Sequence, residues 1–306
     1  MNGRNENQQS GAILLAGGEG KRPASLTRAI TGDSTPKQFC PLVGNESMFE
    51  RTRTRVSSLI NADRIISVLT RTRERFYRAI VGETPSRNLV IQPENRGTAP
   101  AILYALLRVA QLDSSARVAV FPCDHFVDDD REFMRHVELA VDATDSRPEL
   151  TVLLGIAPDR PETSYGWIES GESVGNGPVF SVRQFWEKPH AELAAELFYR
   201  GCVWNSSVIV ARASTLLGLF IIALPNLYLS FKKVQATFGT TFEDETIRRL
   251  YPDLSTTSFS DDVLVRHGVN LGVLPVTGVR WNDLGEPHRL FETLDGLGIR
   301  HFWQAA

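Results

Sequence analysis

GAILLAGGEGKR, residues 11–22, places five apolar residues directly before three glycines and two basic side chains. An apolar run that ends abruptly in glycines is typical of a central parallel strand covered on both faces. Glycines let backbone N–H groups approach an anion closely. Arg22 and, further along, Lys37 add two cations, which suits a loop that holds a triphosphate. The spacing fits neither a P-loop nor a dinucleotide-binding turn, so the other interpretation is an ordinary strand-to-helix turn.

Composition limits the classes of protein that the chain can represent. At 306 residues and 42% hydrophobic it can bury a large core, and its net charge of -3 provides no overall basic surface for nucleic acid or an anionic membrane. No apolar run approaches the ~20 residues that a membrane helix needs. The three cysteines form no disulfide framework, which favours a reducing, cytoplasmic environment. Residues 1–10 are predicted to be a flexible tail.

The order of the predicted elements indicates an α/β fold. Apolar strands alternate with helical stretches through the first half, which predicts a Rossmann-like, mixed but mainly parallel central sheet flanked by helices. From about residue 160 shorter strands follow, and these predict an antiparallel extension. The predicted strands are 65–69, 89–91, 118–121, 151–156, 166–169, 179–186, 203–210 and 271–276. Residues 11–306 are expected to form one domain, and the sequence leaves a homo-oligomer open.

Two carboxylates stand where ligands gather in such sheets, beyond the carboxyl ends of the strands. Asp124 follows the strand at 118–121, and beside a triphosphate it is a candidate Mg²⁺ ligand. The alternative is a capping aspartate, a role that suits residues 128–130 before the next helix. Asp283 is the second candidate, but spacing alone does not pair it with Asp124.

Other polar residues at strand ends suit a sugar phosphate. Lys188 leaves the strand at 179–186 and offers a cation for a second phosphate, while Glu187 offers an acceptor for a hydroxyl. Tyr165, Gly166 and Asn205 lie in segments whose polar and aromatic groups suit a sugar ring. Each of these residues is individually as compatible with a turn or a core contact.

Residues 93–100 connect a strand to a helix. Thr98 is a candidate N-cap, and the helix start beside Arg96 is also a place where an anion or a base edge could bind. Structural and binding roles are compatible here.

Taken in order, these segments resemble the sugar-nucleotidyltransferases, most closely the mannose-1-phosphate guanylyltransferases. The resemblance covers almost the whole chain after residue 11. The motifs that carry it are at residues 15–22, 36–39, 96–100, 124–125, 160–166, 187–189, 204–206 and 281–285.

The resemblance implies the nucleotide-diphospho-sugar transferase fold, with the antiparallel extension binding the sugar. It implies an NTP, here GTP, a sugar 1-phosphate, here mannose 1-phosphate, and Mg²⁺. It makes Arg22, Lys37 and Asp124 catalytic and makes Asp124 and Asp283 metal ligands. The implied nucleotide-binding residues are Leu15, Ala16, Gly17, Gly18, Gly20, Arg96 and Thr98. The implied sugar-phosphate-binding residues are Tyr165, Gly166, Glu187, Lys188 and Asn205.

Two rival hypotheses remain at this stage. The first is a nucleotidyltransferase for another pair, such as UTP, dTTP or ATP with glucose 1-phosphate. The second is a regulatory module that binds a sugar nucleotide without turning it over, which is favoured by Pro23 and Ser25, where the family usually has Leu and Pro. Gly97 and Ser260 also depart from the family pattern, near the implied nucleotide contacts.

Overall fold

The computed structural model describes residues 10–20, 24–82, 84–266 and 270–299. Its strands are β1 (Ser10–Leu15), β2 (Ile65–Thr70), β3 (Leu89–Gln92), β4 (Arg117–Pro122), β5 (Phe126–Val127), β6 (Thr151–Ile156), β7 (Gly166–Ser173), β8 (Phe180–Glu187), β9 (Val203–Arg212), β10 (Leu271–Val276) and β11 (Trp281–Asn282). Nine of them form one sheet in the order β3-β2-β1-β4-β9-β6-β10-β8-β7, and β11 pairs with β5.

The large sheet is mixed, as the sequence predicts. Strands β3, β2, β1 and β4 are parallel neighbours, and β6 is parallel to β10. The pairs β7–β8 and β8–β10 are antiparallel. Strand β9 differs from the sequence interpretation: it lies inside the sheet, antiparallel to both β4 and β6, while its first residues also pair with β7. The antiparallel part is therefore joined to the parallel part through a shared strand.

Helices cover the sheet. They are α1 (Ala24–Thr31), α2 (Met48–Ser57), α3 (Glu74–Val81), α4 (Thr98–Leu112), α5 (Asp130–Ser146), α6 (Ala191–Tyr199), α7 (Ala213–Ala223), α8 (Pro225–Gln235), α9 (Glu243–Leu250) and α10 (Pro287–Gly296). Successive side chains of a strand point to opposite faces. Accordingly, Ile13 packs in a cluster with residues of α4 and α7, whereas Ala12 and Leu14 pack in another with residues of α2 and α5. This confirms that β1 is a central strand covered on both faces.

Two helix starts test the capping predictions. Asp129 caps α5, since its carboxylate accepts a hydrogen bond from the backbone N–H of Glu132 at 2.9 Å. The prediction for α4 is wrong, because its N-cap is Gly97 and Thr98 is already the first helical residue. The backbone of Gly97 has φ +89°, and a Cβ there would lie 2.2 Å from the Thr257 carbonyl oxygen. The close approach of Thr257, far along the chain, therefore requires glycine at the N-cap position of α4. Among the described residues, no helix has the length and apolarity needed to cross a membrane.

Candidate active site

The glycine loop after β1 is held by side chains from two other segments. The Thr70 hydroxyl donates to the carbonyl of Gly17 at 2.9 Å. The side-chain amide of Gln38 donates to the carbonyls of Ala16 and Gly18, both at 2.8 Å. Because its carbonyls are occupied by protein donors, the loop backbone is fixed in place.

Gly20 brings the same loop against the segment that carries Lys37. Its φ is +58°, and a Cβ there would lie 2.6 Å from the Lys37 backbone nitrogen. Glycine meets both requirements, the positive φ and the close approach. Leu15 lies at the end of β1, directly before this loop. Arg22, predicted to be catalytic, lies outside the described residues.

Lys37 is buried and bridges the two candidate metal-binding segments. Its ammonium lies 2.9 Å from Oδ2 of Asp124 and donates to the main-chain carbonyl of Asp283. Asp124 reaches this position because β4 lies beside β1, with Pro122 opposite Leu15. Sequence spacing could not pair the two aspartates, but the structure brings their segments together through one lysine.

The charged groups around Lys37 shift one another's pKa values, and these shifts set which groups are ionised. Burial raises the pKa of Asp124, but the Lys37 ammonium and the hydrogen bonds and other charges around the carboxylate together outweigh burial, and the pKa lies below its usual value. The pKa of Asp283 is lowered in the same way against its own burial. Both carboxylates are therefore ionised at neutral pH. Burial lowers the pKa of His125, so this imidazole, 3.6 Å from Asp124, is neutral there.

The Asp283 carboxylate is held by three donors at one oxygen. Its Oδ1 accepts from the Tyr165 hydroxyl at 3.0 Å, the Gly285 N–H at 2.9 Å and Arg289 Nη1 at 2.8 Å. The next residue, Leu284, has φ +48°, a conformation that non-glycine residues rarely adopt. The strained turn and the three donors together fix how Asp283 faces the site.

The five predicted sugar-phosphate residues come together where β7, β8 and β9 meet. Gly166 is the cross-strand partner of Glu187, and a Cβ on it would lie 3.3 Å from Cβ of Asn205. Lys188 has φ +45°, forms an ion pair with Glu187 at 3.0 Å and donates from its backbone N–H to the Tyr165 carbonyl. Since the Tyr165 hydroxyl also bonds Asp283, this group is continuous with the Lys37 cluster.

Arg96 and Thr98 lie at the same edge of the sheet but use their side chains on protein partners. Arg96 pairs with Glu94 at 2.7 Å, and the Thr98 hydroxyl accepts from the backbone N–H of Phe259 at 2.8 Å. The preceding strand, β3, ends at Gln92, whose amide nitrogen would lie 2.6 Å from a Cβ on Gly17. The segment is thus adjacent to the glycine loop, without a direct contact to Lys37.

Sequence reasoning missed Arg289, and it assigned no role to Glu162, although Glu162 lies within the motif at 160–166. Arg289 is 4% exposed, and its guanidinium joins Asp283 to Glu162 at 2.6 Å while lying 4.5 Å from the centre of the Tyr165 ring. No motif marks it. Its position in the sequence could have indicated a role, because Arg289 is the third residue of α10 and the dipole at a helix N-terminus disfavours a cation. A buried arginine at this position is therefore expected to pair with an acidic residue from another part of the chain.

The residues present fit a magnesium ion better than an all-protein metal cage. In the parts of the chain that the structure describes, no three His, Cys, Asp or Glu residues form a metal-binding group. The Lys37 ammonium, itself a cation, already lies between the Asp124 carboxylate and the main-chain carbonyl of Asp283. Mg²⁺ at nucleotide sites is commonly held by one or two carboxylates, with the other ligands coming from phosphates and water.

The fold and this arrangement define a class of protein, and the chain belongs to the nucleotidyl transferase family, whose model matches residues 11–297. The resemblance drawn from the motifs is thereby confirmed at the level of the family.

Among its relatives, the chain is similar to the xanthan biosynthesis protein XanB of Xanthomonas campestris pv. campestris, with 32% identity over 94% of this chain and 61% of that protein. It is 30% identical to a mannose-1-phosphate guanylyltransferase of Salmonella montevideo, over 92% of this chain and 59% of that one. The fold matches the crystal structure of a mannose-1-phosphate geranyltransferase from Thermus thermophilus, with a TM-score of 0.78, 27% identity, and coverage of 90% and 76% of the two chains. The chain spans about three fifths of the length of the two curated relatives.

Proposed function

We propose that this protein transfers the guanylyl group of GTP to mannose 1-phosphate, giving a nucleotide diphosphate sugar and pyrophosphate. The observation that carries the proposal is the continuous chain of contacts from the glycine loop through Lys37, Asp124 and Asp283 to Tyr165. Membership of the nucleotidyl transferase family and the names of the relatives support this choice of substrates.

The reaction is an in-line displacement at the α-phosphorus of the NTP. A phosphate oxygen of the sugar 1-phosphate forms the new P–O bond, and the bond to the bridging oxygen of the β-phosphate breaks, so pyrophosphate leaves with that electron pair. The nucleophile is already an anion, so no general base is needed. Catalysis then depends on aligning two anions and on neutralising charge in the transition state.

The chain's own residues have distinct parts in this proposal. The loop residues Gly17, Gly18 and Gly20, with Arg22, would hold the triphosphate, and Arg96 and Thr98 would lie beside the nucleoside. Lys37 would exchange its contact with Asp124 for a phosphate oxygen at the reacting phosphorus. The group around Gly166, with Lys188 and Glu187, would hold the sugar phosphate.

Mg²⁺ is the proposed cofactor, and Asp124 and Asp283 are the residues that would hold it. When bound, the ion supplies charge neutralisation on the triphosphate. The three cysteines are free and buried, which supports a cytoplasmic location as part of the same proposal.

Pyrophosphate release by the purified protein with Mg²⁺ tests the proposal directly. The panel crosses GTP, ATP, UTP and dTTP with mannose 1-phosphate and glucose 1-phosphate. We expect release only with GTP and mannose 1-phosphate. Release with another pair would keep the chemistry and change the specificity, whereas nucleotide binding without release from any pair would favour a regulatory binding module.

A further inference from the structure

The two oxygens of Asp283 have very different surroundings. Oδ1 accepts the three hydrogen bonds from Tyr165, Gly285 and Arg289. A carboxylate oxygen has two lone-pair directions, so three donors saturate it. Within the described part of the chain, Oδ2 has no hydrogen-bond partner. One oxygen is thus committed to the protein and the other is open.

Arg289 is built to keep that arrangement. It is buried, its second guanidinium nitrogen is fixed by Glu162 at 2.6 Å, and its central guanidinium carbon lies 4.5 Å from the Tyr165 ring centre. The planar fork of arginine matches two carboxylates at once, which a lysine cannot do. Arg289 therefore positions both the acceptor, Asp283, and a second donor, Tyr165.

We propose that Arg289 is a positioning residue that makes Asp283 a one-oxygen ligand for the divalent cation. The inference rests on the proposed function, because it requires a cation at Asp124 and Asp283. A carboxylate that offers a single, fixed oxygen suits the small, octahedral Mg²⁺ and disfavours Ca²⁺, which tolerates two-oxygen carboxylate binding. Outer partners of this kind commonly change metal affinity by about 10–100-fold when they are removed.

Whether removal of Arg289 weakens or strengthens cation binding distinguishes a positioning role from a purely electrostatic one. Removing Arg289 takes away a positive charge beside two carboxylates, and by Coulomb's law alone this would strengthen cation binding. Loss of the positioning contact frees the carboxylate to rotate and weakens binding instead. A weaker cation affinity in a folded variant therefore supports positioning.

The test measures Mn²⁺ binding by electron paramagnetic resonance, with a non-hydrolysable GTP analogue present. We expect Arg289→Met to weaken Mn²⁺ binding about tenfold and Arg289→Lys to weaken it less. We also expect Ca²⁺ to compete better in the Met variant. The matched control is Glu292→Gln, which removes an exposed ion pair between α10 and Arg160 and has no contact with Asp283. Unchanged or tighter Mn²⁺ binding in folded Arg289→Met would overturn the proposal.

Two further variants keep the test decisive. If Arg289→Met does not fold, Tyr165→Phe removes a single donor to Oδ1 with little change in shape, and we expect weaker Mn²⁺ binding again. Asp283→Asn checks that the residue is a ligand at all, and unchanged affinity in it would also overturn the proposal. The binding assay does not depend on turnover. If the wild type releases no pyrophosphate with any substrate pair, but the variants still change Mn²⁺ affinity as expected, only the proposed function is overturned.

Discussion

Lys37 connects two segments that lie far apart in the sequence, and its ammonium contacts both of them. If it neutralises charge at the reacting phosphorus, Lys37→Ala should lower kcat by about 100-fold or more, the usual cost of a main electrostatic stabiliser. Steady-state pyrophosphate release measures this, with Lys233→Ala, an exposed lysine on α8, as the control. Near-normal turnover in a folded Lys37→Ala protein would contradict the assignment.

Gly166 tests the sugar-phosphate group at the scale of one methyl group. An added Cβ would lie 2.9 Å from Oε2 of Glu187, a flexible carboxylate that can move away. The same Cβ would lie 3.1 Å from Cζ of Phe185 and 3.3 Å from Cβ of Asn205, so Gly166→Ala should displace Glu187 and shift these two neighbours by a few tenths of an ångström. KM for the sugar phosphate should then rise about tenfold, the equivalent of one lost polar contact, in a protein whose folding is checked by circular dichroism. Gly177→Ala, with open space around its Cβ position, is the control. If KM rises for GTP instead of the sugar phosphate, Gly166 belongs to the nucleotide subsite and the prediction is contradicted.

At the scale of elements, the small β5–β11 pair holds the two carboxylate segments beside each other. Asp124 lies just before β5 and Asp283 just after β11. The pair is closed by Asp128, whose carboxylate accepts from the Arg280 backbone N–H at 2.7 Å and from its guanidinium at 2.9 Å. Burial raises the pKa of Asp128, but these hydrogen bonds outweigh burial and lower the pKa.

Asp128→Asn should lower the free energy of unfolding by about 1 kcal/mol at pH 7, because a charge-assisted contact is lost from a partly exposed pair. The folded pKa lies below the unfolded value of about 3.9, so the carboxylate's contribution is present above that value and is lost as pH falls through the folded pKa. The difference from wild type should therefore shrink in acid. Urea unfolding at neutral and acidic pH measures it, and Glu149→Gln in an exposed pair is the control. A difference that grows in acid would refute this account.

The elements also show what could be predicted from the sequence. Continuous apolar runs locate the buried parallel strands, and 151–156 matches β6 at both ends. The position of β9 between β4 and β6 could not be predicted, because the apolar pattern of a strand does not specify which strands it pairs with. The capping prediction for Thr98 is wrong because a carbonyl far along the chain, that of Thr257, sets the backbone of Gly97. Arg289 was missed because, apart from Asp283 six residues before it, its partners Glu162 and Tyr165 come from a distant loop before β7.

At the scale of the whole molecule, β9 pairs both with β4, on the side of the glycine loop, and with β7, on the side of Gly166, so one strand connects the two ends of one candidate site. Asn205 lies on β9 itself, and Asp124 follows the neighbouring strand β4. A ligand that reaches from the glycine loop toward Gly166 would contact both ends. Ligand binding should therefore stabilise the fold as a whole.

This stabilisation provides a measure of binding that is independent of turnover. A ligand at 100 times its Kd adds about 2.7 kcal/mol to stability, which should raise the Tm by about 4 °C for a chain of this size. We expect that shift with GTP and Mg²⁺ in scanning calorimetry, and a smaller one with ATP or UTP, since the base pocket discriminates through a few hydrogen bonds. Mg²⁺ alone is the control. Equal shifts for all nucleotides would contradict a guanine-selective site, and a GTP shift without pyrophosphate release would separate binding from catalysis.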